Sequence, residues 1–579
     1  MSKRNTRLKN RDASLRGKAG PRIYTDTKNS GDREGLIDTP ILGDWKFIVS
    51  AVGIAVIAFV LRSYQIGRSE LWLDEAASHY YTTTEIRMGN AAFYYLLLRG
   101  WIHIAGQSEA ALRLLSAIFG TLFVVGVMGF GRRILGRWAG VWAGAFAAVS
   151  PIHIYYSQEA RSYSLVLCVL LLVYLMLWRA LETDEWRYWA LFSTCAVVAL
   201  YSHVFAILGM VPTVFLLLFG PGQQGGIRRW LHYGGSVLLC AVLFLPWVLG
   251  GRSLDTGAKA GSAWIREVWE LTPPLLAIPL SLEVFGLGGQ VDLVPIQMKQ
   301  FTLLEFPSSL RVLGLGTLLL LGIWSAMPWG DRDFDVPELG KRKTWLMLCL
   351  FAPLGMLWLV SLRKPLYVVG RYDLMAFPAF ALLVGLGLRK AQRVKTLGSV
   401  LAPFLALMLL VPIGAKLFLY YQAPLLGDAR TTAHVLNAGM QEGDAVVFTG
   451  QRGLPVLYYL QRLGYRWSGG YCDNPSITRR FACRMFPRET ERTPAVLDPS
   501  WIYKSADAVR ENVQDLMKAV RPRTGELWVA FERFGPPQGP LVLSVIDKLF
   551  ERELRREGLA PVEVQGASDL FRFRRPADA

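Results

Sequence analysis

Residues 45–61 read WKFIVSAVGIAVIAFVL, seventeen residues whose only charge is Lys46. A run of that length and apolarity matches the hydrocarbon thickness that a helix must cross in a bilayer. Ten blocks of the same character follow, at 116–131, 138–149, 163–177, 188–201, 204–219, 234–249, 312–324, 345–360, 376–388 and 400–420. The sequence therefore predicts a mainly α, polytopic membrane bundle of about eleven spans. Hydrophobic residues make up 52% of the 579 and charged residues only 19%, which argues against a soluble multidomain protein.

The net charge of +18 is explained by topology rather than by a nucleic-acid partner. Basic residues crowd the tail 1–45 (Lys3, Arg4, Arg7, Lys9, Arg11, Arg16, Lys18) and alternate short loops: Arg132, Arg133 and Arg137; Arg228 and Arg229; Lys341, Arg342 and Lys343; Arg389, Lys390, Arg393 and Lys395. If the spans alternate, all of these fall on one side, the cytoplasmic side of a positive-inside protein. The N-terminus is then cytoplasmic, the C-terminal region is extracytoplasmic, and the expected location is the plasma (inner) membrane. The first apolar block starts late and lacks a small-residue cleavage site, so it reads as a retained span.

Three regions follow: a basic tail (1–45), a transmembrane region (46–420) with outer segments at 65–110 and 251–307, and an extracytoplasmic domain (421–579). In the first outer segment, LDEAASHYY (73–81) and AAFYYLLLRGWIHIAG (91–106), with Arg99 and His103, suit helices lying in the interface that hold Asp74 at headgroup depth. From Tyr421 the pattern alternates: helix at 429–440, strand at 444–449, helix at 454–464, strand at 526–534, amphipathic helix at 541–558 and closing strand at 569–575, a small α/β domain. Cys168, Cys195, Cys240 and Cys349 lie in spans, whereas Cys472 and Cys483 lie outside and could form a disulfide in an oxidising compartment.

The sharpest chemical feature is Leu71-Trp72-Leu73-Asp74-Glu75. Partial desolvation beside the aromatic residues raises a carboxylate pKa and makes Asp74 a base; the competing reading is a pair of acids favoured by a helix N-terminus. Tyr155-Tyr156-Ser157-Gln158-Glu159-Ala160-Arg161-Ser162-Tyr163 places Arg161 at phosphate depth, where it binds a lipid phosphate or merely anchors a span end. Tyr367-Val368-Val369-Gly370-Arg371-Tyr372-Asp373 repeats the theme of an arginine near tyrosine, with a local Arg371–Asp373 pair as the alternative. His203 with His79, His103 and His153 shows no metal-ligand spacing, and there is no P-loop and no GxGxxG between strand and helix. No metal or other cofactor is assigned, with a divalent metal left open. Asp331-Arg332-Asp333-Phe334-Asp335 reads as a solvated cytoplasmic loop.

At Asp74-Glu75, at 158–163, at Arg371-Tyr372 leading into Phe377-Pro378, and in its C-terminal domain, the chain resembles the GT-C membrane glycosyltransferases of the protein mannosyltransferase type. Bacterial members include aminoarabinose transferases and lipopolysaccharide-core galacturonosyl transferases. Ala92-Phe93 precede Tyr94-Tyr95 here, where many relatives carry a proline. The resemblance implies a transferase that moves a hexose or pentose from a polyprenyl-phosphate donor to a lipid, glycan or protein hydroxyl outside the cytoplasm, inverting the anomeric carbon. In family terms Asp74 is the base; the candidate site comprises Asp74 and Glu75 as catalytic residues and Glu159, Arg161, Tyr163, His203, Arg371 and Tyr372 as substrate-binding residues. A transporter or flippase for lipid-linked sugars is the alternative from another class, and a binding protein acting through its outer domain is a third.

Overall fold

A computed structural model describes residues 44–83, 91–221, 226–250, 265–266, 268–288, 307–328, 331, 336–422, 428–441, 444–449, 453–468, 471–474, 479–486, 514, 526–531, 545–556, 558–564, 567 and 569–574. In chain order the helices of the bundle are α1 (Trp45–Ser63), α2 (Leu73–Thr83), α3 (Ala92–Ala105), α4 (Glu109–Leu135), α5 (Arg137–Val149), α6 (Pro151–Ser157), α7 (Tyr163–Thr183), α8 (Trp186–Ser202), α9 (Ala206–Met210), α10 (Thr213–Phe219), α11 (Gly226–Gly250), α12 (Ala277–Leu287), α13 (Ser308–Ala326), α14 (Leu339–Ser361), α15 (Phe377–Gln392) and α16 (Gly398–Gln422).

All eleven apolar blocks are helical, and among the described residues eight helices are long and apolar enough to cross a membrane: α1, α4, α7, α11, α13, α14, α15 with the turn before it, and α16. The other three blocks form shorter helices. Gly136, at a left-handed φ of 96°, and Pro151 bound α5. Pro212, which lacks an N–H, splits block 204–219 into α9 and α10. α15 is buried along its whole apolar length, whereas α1 and α11 turn most of their apolar surface outward, the pattern of bundle centre and lipid-facing rim. Tight crossings depend on small residues. A Cβ at Gly385 of α15 would lie 2.5 Å from the Ala143 backbone of α5, and one at Gly140 would lie 2.5 Å from the Arg132 backbone of α4.

At one end of the bundle the basic loops are tied to one another. Asp44 meets Arg132 and Arg137, Arg133 meets Glu182, and Arg342 donates to the Arg133 and Ile134 carbonyls. Asp331 contradicts the solvated-loop expectation for its motif. It pairs with Lys343 and, at 2.6 Å, with Lys390, both buried, and the two ammonium groups also donate to the Met327 carbonyl at the end of α13. Cations are favoured at a helix C-terminus, and the acid between them offsets their repulsion. Residues 332–335 of the motif lie outside the described residues.

The C-terminal domain comprises α17 (Ala429–Gly439), β1 (Ala445–Thr449), α18 (Gly453–Arg462), β2 (Arg466–Ser468), β3 (Tyr471–Asn474), β4 (Arg479–Phe486), β5 (Leu527–Ala530), α19 (Val545–Arg556), β6 (Ala560–Glu563) and β7 (Leu570–Arg574). Its sheet runs β2-β3-β4-β1-β5-β7-β6, with β1 parallel to β4 and β5 and the flanking pairs antiparallel. The apolar central strands β1 and β5 were legible from sequence. β2, β3, β4 and β6 were not, because their polar sequences lack sustained alternation. Cys472 and Cys483 fall on neighbouring strands, in register with Phe481 and Val446 respectively, and their side chains lie outside the described residues.

Candidate active site

The bundle end opposite the basic loops gathers three segments distant in sequence: the start of α2, the turn between α6 and α7, and the turn between α14 and α15. Asp74 lies in the first turn of α2. Its Oδ2 accepts from Arg371 Nη2 at 2.7 Å and lies 3.6 Å from Arg161 Nη2. Asp373, the alternative local partner of Arg371, takes the Arg371 backbone N–H. It also accepts from the Gly370 N–H at 2.9 Å and from the Ser281 hydroxyl, which also meets the Tyr367 hydroxyl at 2.7 Å. Gly370 has a φ of 73°, a left-handed conformation that favours glycine, and its carbonyl accepts from Tyr156 at 2.7 Å. That turn fixes the Arg371 backbone, and Tyr163 accepts from Arg371 Nε at 2.8 Å.

Arg161 is aimed by similar means. Its Nη1 donates to the Asp74 carbonyl and to Ser78 Oγ, each at 3.3 Å, its carbonyl accepts from Ser116, and the Tyr95 hydroxyl hydrogen-bonds to both Arg161 and Ser78. Arg161 Nε is buried without a partner among the described residues. Aromatic rings line the other side: Arg371 lies over Tyr163 and Tyr372, Tyr372 stacks on Phe205 at 4.1 Å, and His203 lies 5.2 Å from Tyr163. His203 Nδ1 accepts the Phe205 N–H, which leaves Nε2 as its donor.

The charge state of Asp74 differs from the sequence expectation. Burial does push its carboxyl upward, but Arg161 and then Arg371 outweigh that and hold it below the ordinary carboxylate value. Sequence reasoning weighed the desolvation and directed the two cations at phosphate, without their pull on the Asp74 carboxyl. Glu159 goes the other way: burial, reinforced by the Glu75 charge, raises it to about 8. His203 is pushed down to about 3 by burial and the two guanidinium groups. Near neutral pH the site thus holds ionised Asp74, protonated Glu159, neutral His203 and two guanidinium groups.

Glu75, expected beside Asp74 in the chemistry, is committed elsewhere. Its carboxylate is fully buried, takes Arg113 Nε at 2.7 Å and Nη2 at 2.6 Å, and accepts the Ala160 N–H at 2.8 Å. It joins α2 to α4 and to the turn carrying Arg161. The histidines lie apart: His79 meets Gln107, and His153 accepts from Arg62 at 2.8 Å in the bundle interior. No group of three or more His, Cys, Asp and Glu side chains suited to a metal occurs among the described residues. Sequence reasoning missed Arg113, Ser78 and Tyr95, and gave Asp373 only as a local partner of Arg371. Arg113 had a usable signal, a lone cation in the first turns of an apolar helix.

Residues 90–249 match the model of the dolichyl-phosphate-mannose-protein mannosyltransferase family. Over its length the chain resembles ArnT from Cupriavidus metallidurans in the apo state, with a TM-score of 0.54 and 13% identity, covering 92% of this chain and 98% of that one. The same protein bound to undecaprenyl phosphate matches with a TM-score of 0.52 at the same identity and coverage. No curated protein sequence matches the chain. The chain has the GT-C membrane glycosyltransferase fold. Within this GT-C fold the matched segment runs from just before α3 to the end of α11 and includes Arg161, Tyr163 and His203, while Asp74 and Arg371 join them only through the tertiary structure.

Proposed function

We propose that this protein transfers a sugar from a polyprenyl-phosphate-linked donor to an acceptor hydroxyl on the non-cytoplasmic side of the membrane, with inversion at the anomeric carbon. The observation that carries the reading is the position of Asp74 Oδ2 between Arg371 at 2.7 Å and Arg161 at 3.6 Å. One carboxylate and two guanidinium groups leave a net charge of +1, because Glu75 is neutralised by Arg113 and Glu159 is protonated. That charge complements the single negative charge of a sugar phosphodiester. It complements even better the second charge that develops as lipid phosphate leaves, so the arginines stabilise the transition state more than the ground state.

When the donor phosphate takes up the guanidinium groups, it competes with Asp74 for them, and the carboxylate gains basicity. Asp74 then removes the acceptor proton while the acceptor oxygen attacks the anomeric carbon opposite the phosphate. The bond from carbon to phosphate oxygen breaks, and its electron pair departs with the polyprenyl phosphate. Tyr163, Tyr372 and His203 offer ring faces and an Nε2 donor to the sugar. Glu75 acts by position, holding α2 against the Arg161 turn. The binding of undecaprenyl phosphate by the structurally similar ArnT supports a lipid-phosphate donor.

The test is to incubate the purified protein with a panel of labelled polyprenyl-phosphate sugars and follow release of free polyprenyl phosphate. Acceptor-dependent release is expected for one donor. A protein that moves intact donors across vesicles without cleaving them is a flippase, and the reading fails.

A further inference from the structure

The segment that carries Asp74 is gripped from the C-terminal domain as firmly as from the bundle. From the bundle, Arg68 donates to the Tyr421 carbonyl in the last turn of α16 at 2.8 Å. The Glu70 carboxylate accepts the Ala429 and Arg430 N–H groups at 2.7 and 3.2 Å, at the N-terminus of α17, where an anion is favoured. The Leu71 N–H donates to the Tyr459 hydroxyl at 3.1 Å, and that hydroxyl reaches Glu109 at 3.1 Å. Glu109 also receives Arg430 at 2.6 Å and Arg462 at 2.7 Å. One turn beyond Asp74 along α2, the ring of His79 meets Tyr458 edge-on at 5.0 Å, and Tyr458 donates to the Gln107 carbonyl.

Contacts from residues 429–462 therefore bracket Asp74 at positions 70, 71 and 79, while the end of α16 holds position 68 and Arg113 and the Ala160 N–H hold the adjacent Glu75 from the bundle side. Tyr458, Tyr459, Leu71 and Glu109 are all buried at this junction. A domain that merely covered the bundle would not need to converge on the one turn that presents the carboxylate. We infer that the C-terminal domain is a positioning device for Asp74, with Tyr459 and Glu70 as the positioning residues that set where the carboxylate stands relative to Arg161 and Arg371. The inference rests on the reading of Asp74 as the base. Neither residue touches substrate: Tyr459 fixes the Leu71 backbone, and Glu70 joins that backbone to α17.

The test uses full-length protein in membranes or detergent. Tyr459→Phe removes one hydroxyl and keeps the ring. It is expected to lower kcat about tenfold with donor KM unchanged, since small misplacements of a reacting group are costly. The acid limb of its kcat/KM profile is expected to move to higher pH. Asp74 is faced by Arg161, Arg371, Tyr95 and Tyr372, and slackening its hold on the guanidinium groups returns its pKa toward the ordinary value. Glu70→Ala should reproduce both changes, and Glu70→Gln, whose amide oxygen still accepts the two N–H groups, should restore them. Unchanged kcat and pH profile in Tyr459→Phe overturn the inference. So does a loss of activity that only tracks the folded fraction while the pH profile stays put. Asp74→Asn run in parallel separates the two claims: an active Asp74→Asn sinks the base, whereas an inactive Asp74→Asn beside an unaffected Tyr459→Phe sinks only the positioning role.

Discussion

The two ends of the bundle each hold one carboxylate between two cations. Asp74 lies between Arg161 and Arg371; Asp331 lies between Lys343 and Lys390. Lys343 and Ser361 are eighteen residues apart on α14, roughly 27 Å at 1.5 Å per residue, so the sites cannot communicate by contact. Their stoichiometry is the same and their surroundings are opposite. Around Asp331 the lysine side chains are 7% and 2% exposed and spend their remaining donors on the Ala326 and Met327 carbonyls. Around Asp74 the arginine side chains are 17% and 10% exposed, Arg161 Nε has no partner among the described residues, and tyrosine rings take the place of a carbonyl wall. A cluster whose cations spend their other donors on helix-end carbonyls holds helices together. A cluster with donors in reserve can accept a phosphate, and guanidinium groups suit a phosphate's two-oxygen face better than ammonium groups do.

The largest expected effect separates these roles directly. Asp74→Asn should cost transfer about a thousandfold per folded molecule, within the range for a lost general base; release of polyprenyl phosphate, normalised to folded protein, reads it. Next, Arg371→Lys keeps the charge but loses the fork that spans Asp74 and Tyr163, and turnover should fall about a hundredfold. Equal activity in that variant would reduce the site to a charge count and erase the contrast with the lysine end. At that end Asp331→Asn should leave turnover per folded molecule unchanged while costing about 3 kcal/mol of stability in thermal denaturation, because two buried ammonium groups lose their counter-charge.

The smallest expected effect belongs to Glu159→Gln, a mimic of the protonated acid. At neutral pH turnover should stay within about twofold of the parent. The parent should lose activity as pH rises past about 8, where Glu159 ionises, and the variant should not. The stability arm has a definite sign. With the carboxyl raised from 4.5 to about 8, the folded protein binds the proton more tightly than the unfolded chain, so stability falls as pH rises between those values. Asp74 contributes oppositely: its carboxyl is depressed, so its stabilisation is present at neutral pH and fades as pH falls through its folded value.

Much of this site was legible in the sequence, for a simple reason. Charged and aromatic residues next to spans stand out against an apolar background, which is how Asp74, Arg161, Tyr163, His203, Arg371 and Tyr372 were found. Their partners were less visible. Arg62, fully buried in the last turn of α1, donates to the Ala58, Ala147 and Ala148 carbonyls and to His153, and all of these but Ala58 lie 85 to 91 residues away in sequence. Glu75 looked like the twin of Asp74 because adjacency in sequence carries no information about direction: consecutive helical residues point about 100° apart, one to Arg113 and the other to Arg161 and Arg371.

The sequence by itself determined the apolar helices, the clustering of basic loops at one end, and the identity of the chemically able residues at the other. Those features depend on composition over short windows, where hydrophobicity and charge act locally. Only the tertiary structure decided which carboxylate is ionised, which is locked and which keeps its proton. Those outcomes depend on pairs separated by 38 residues for Glu75 and Arg113 and by 297 for Asp74 and Arg371. Burial and opposite charge pull a carboxyl pKa in opposite directions, and the winner is known only once the distances are fixed.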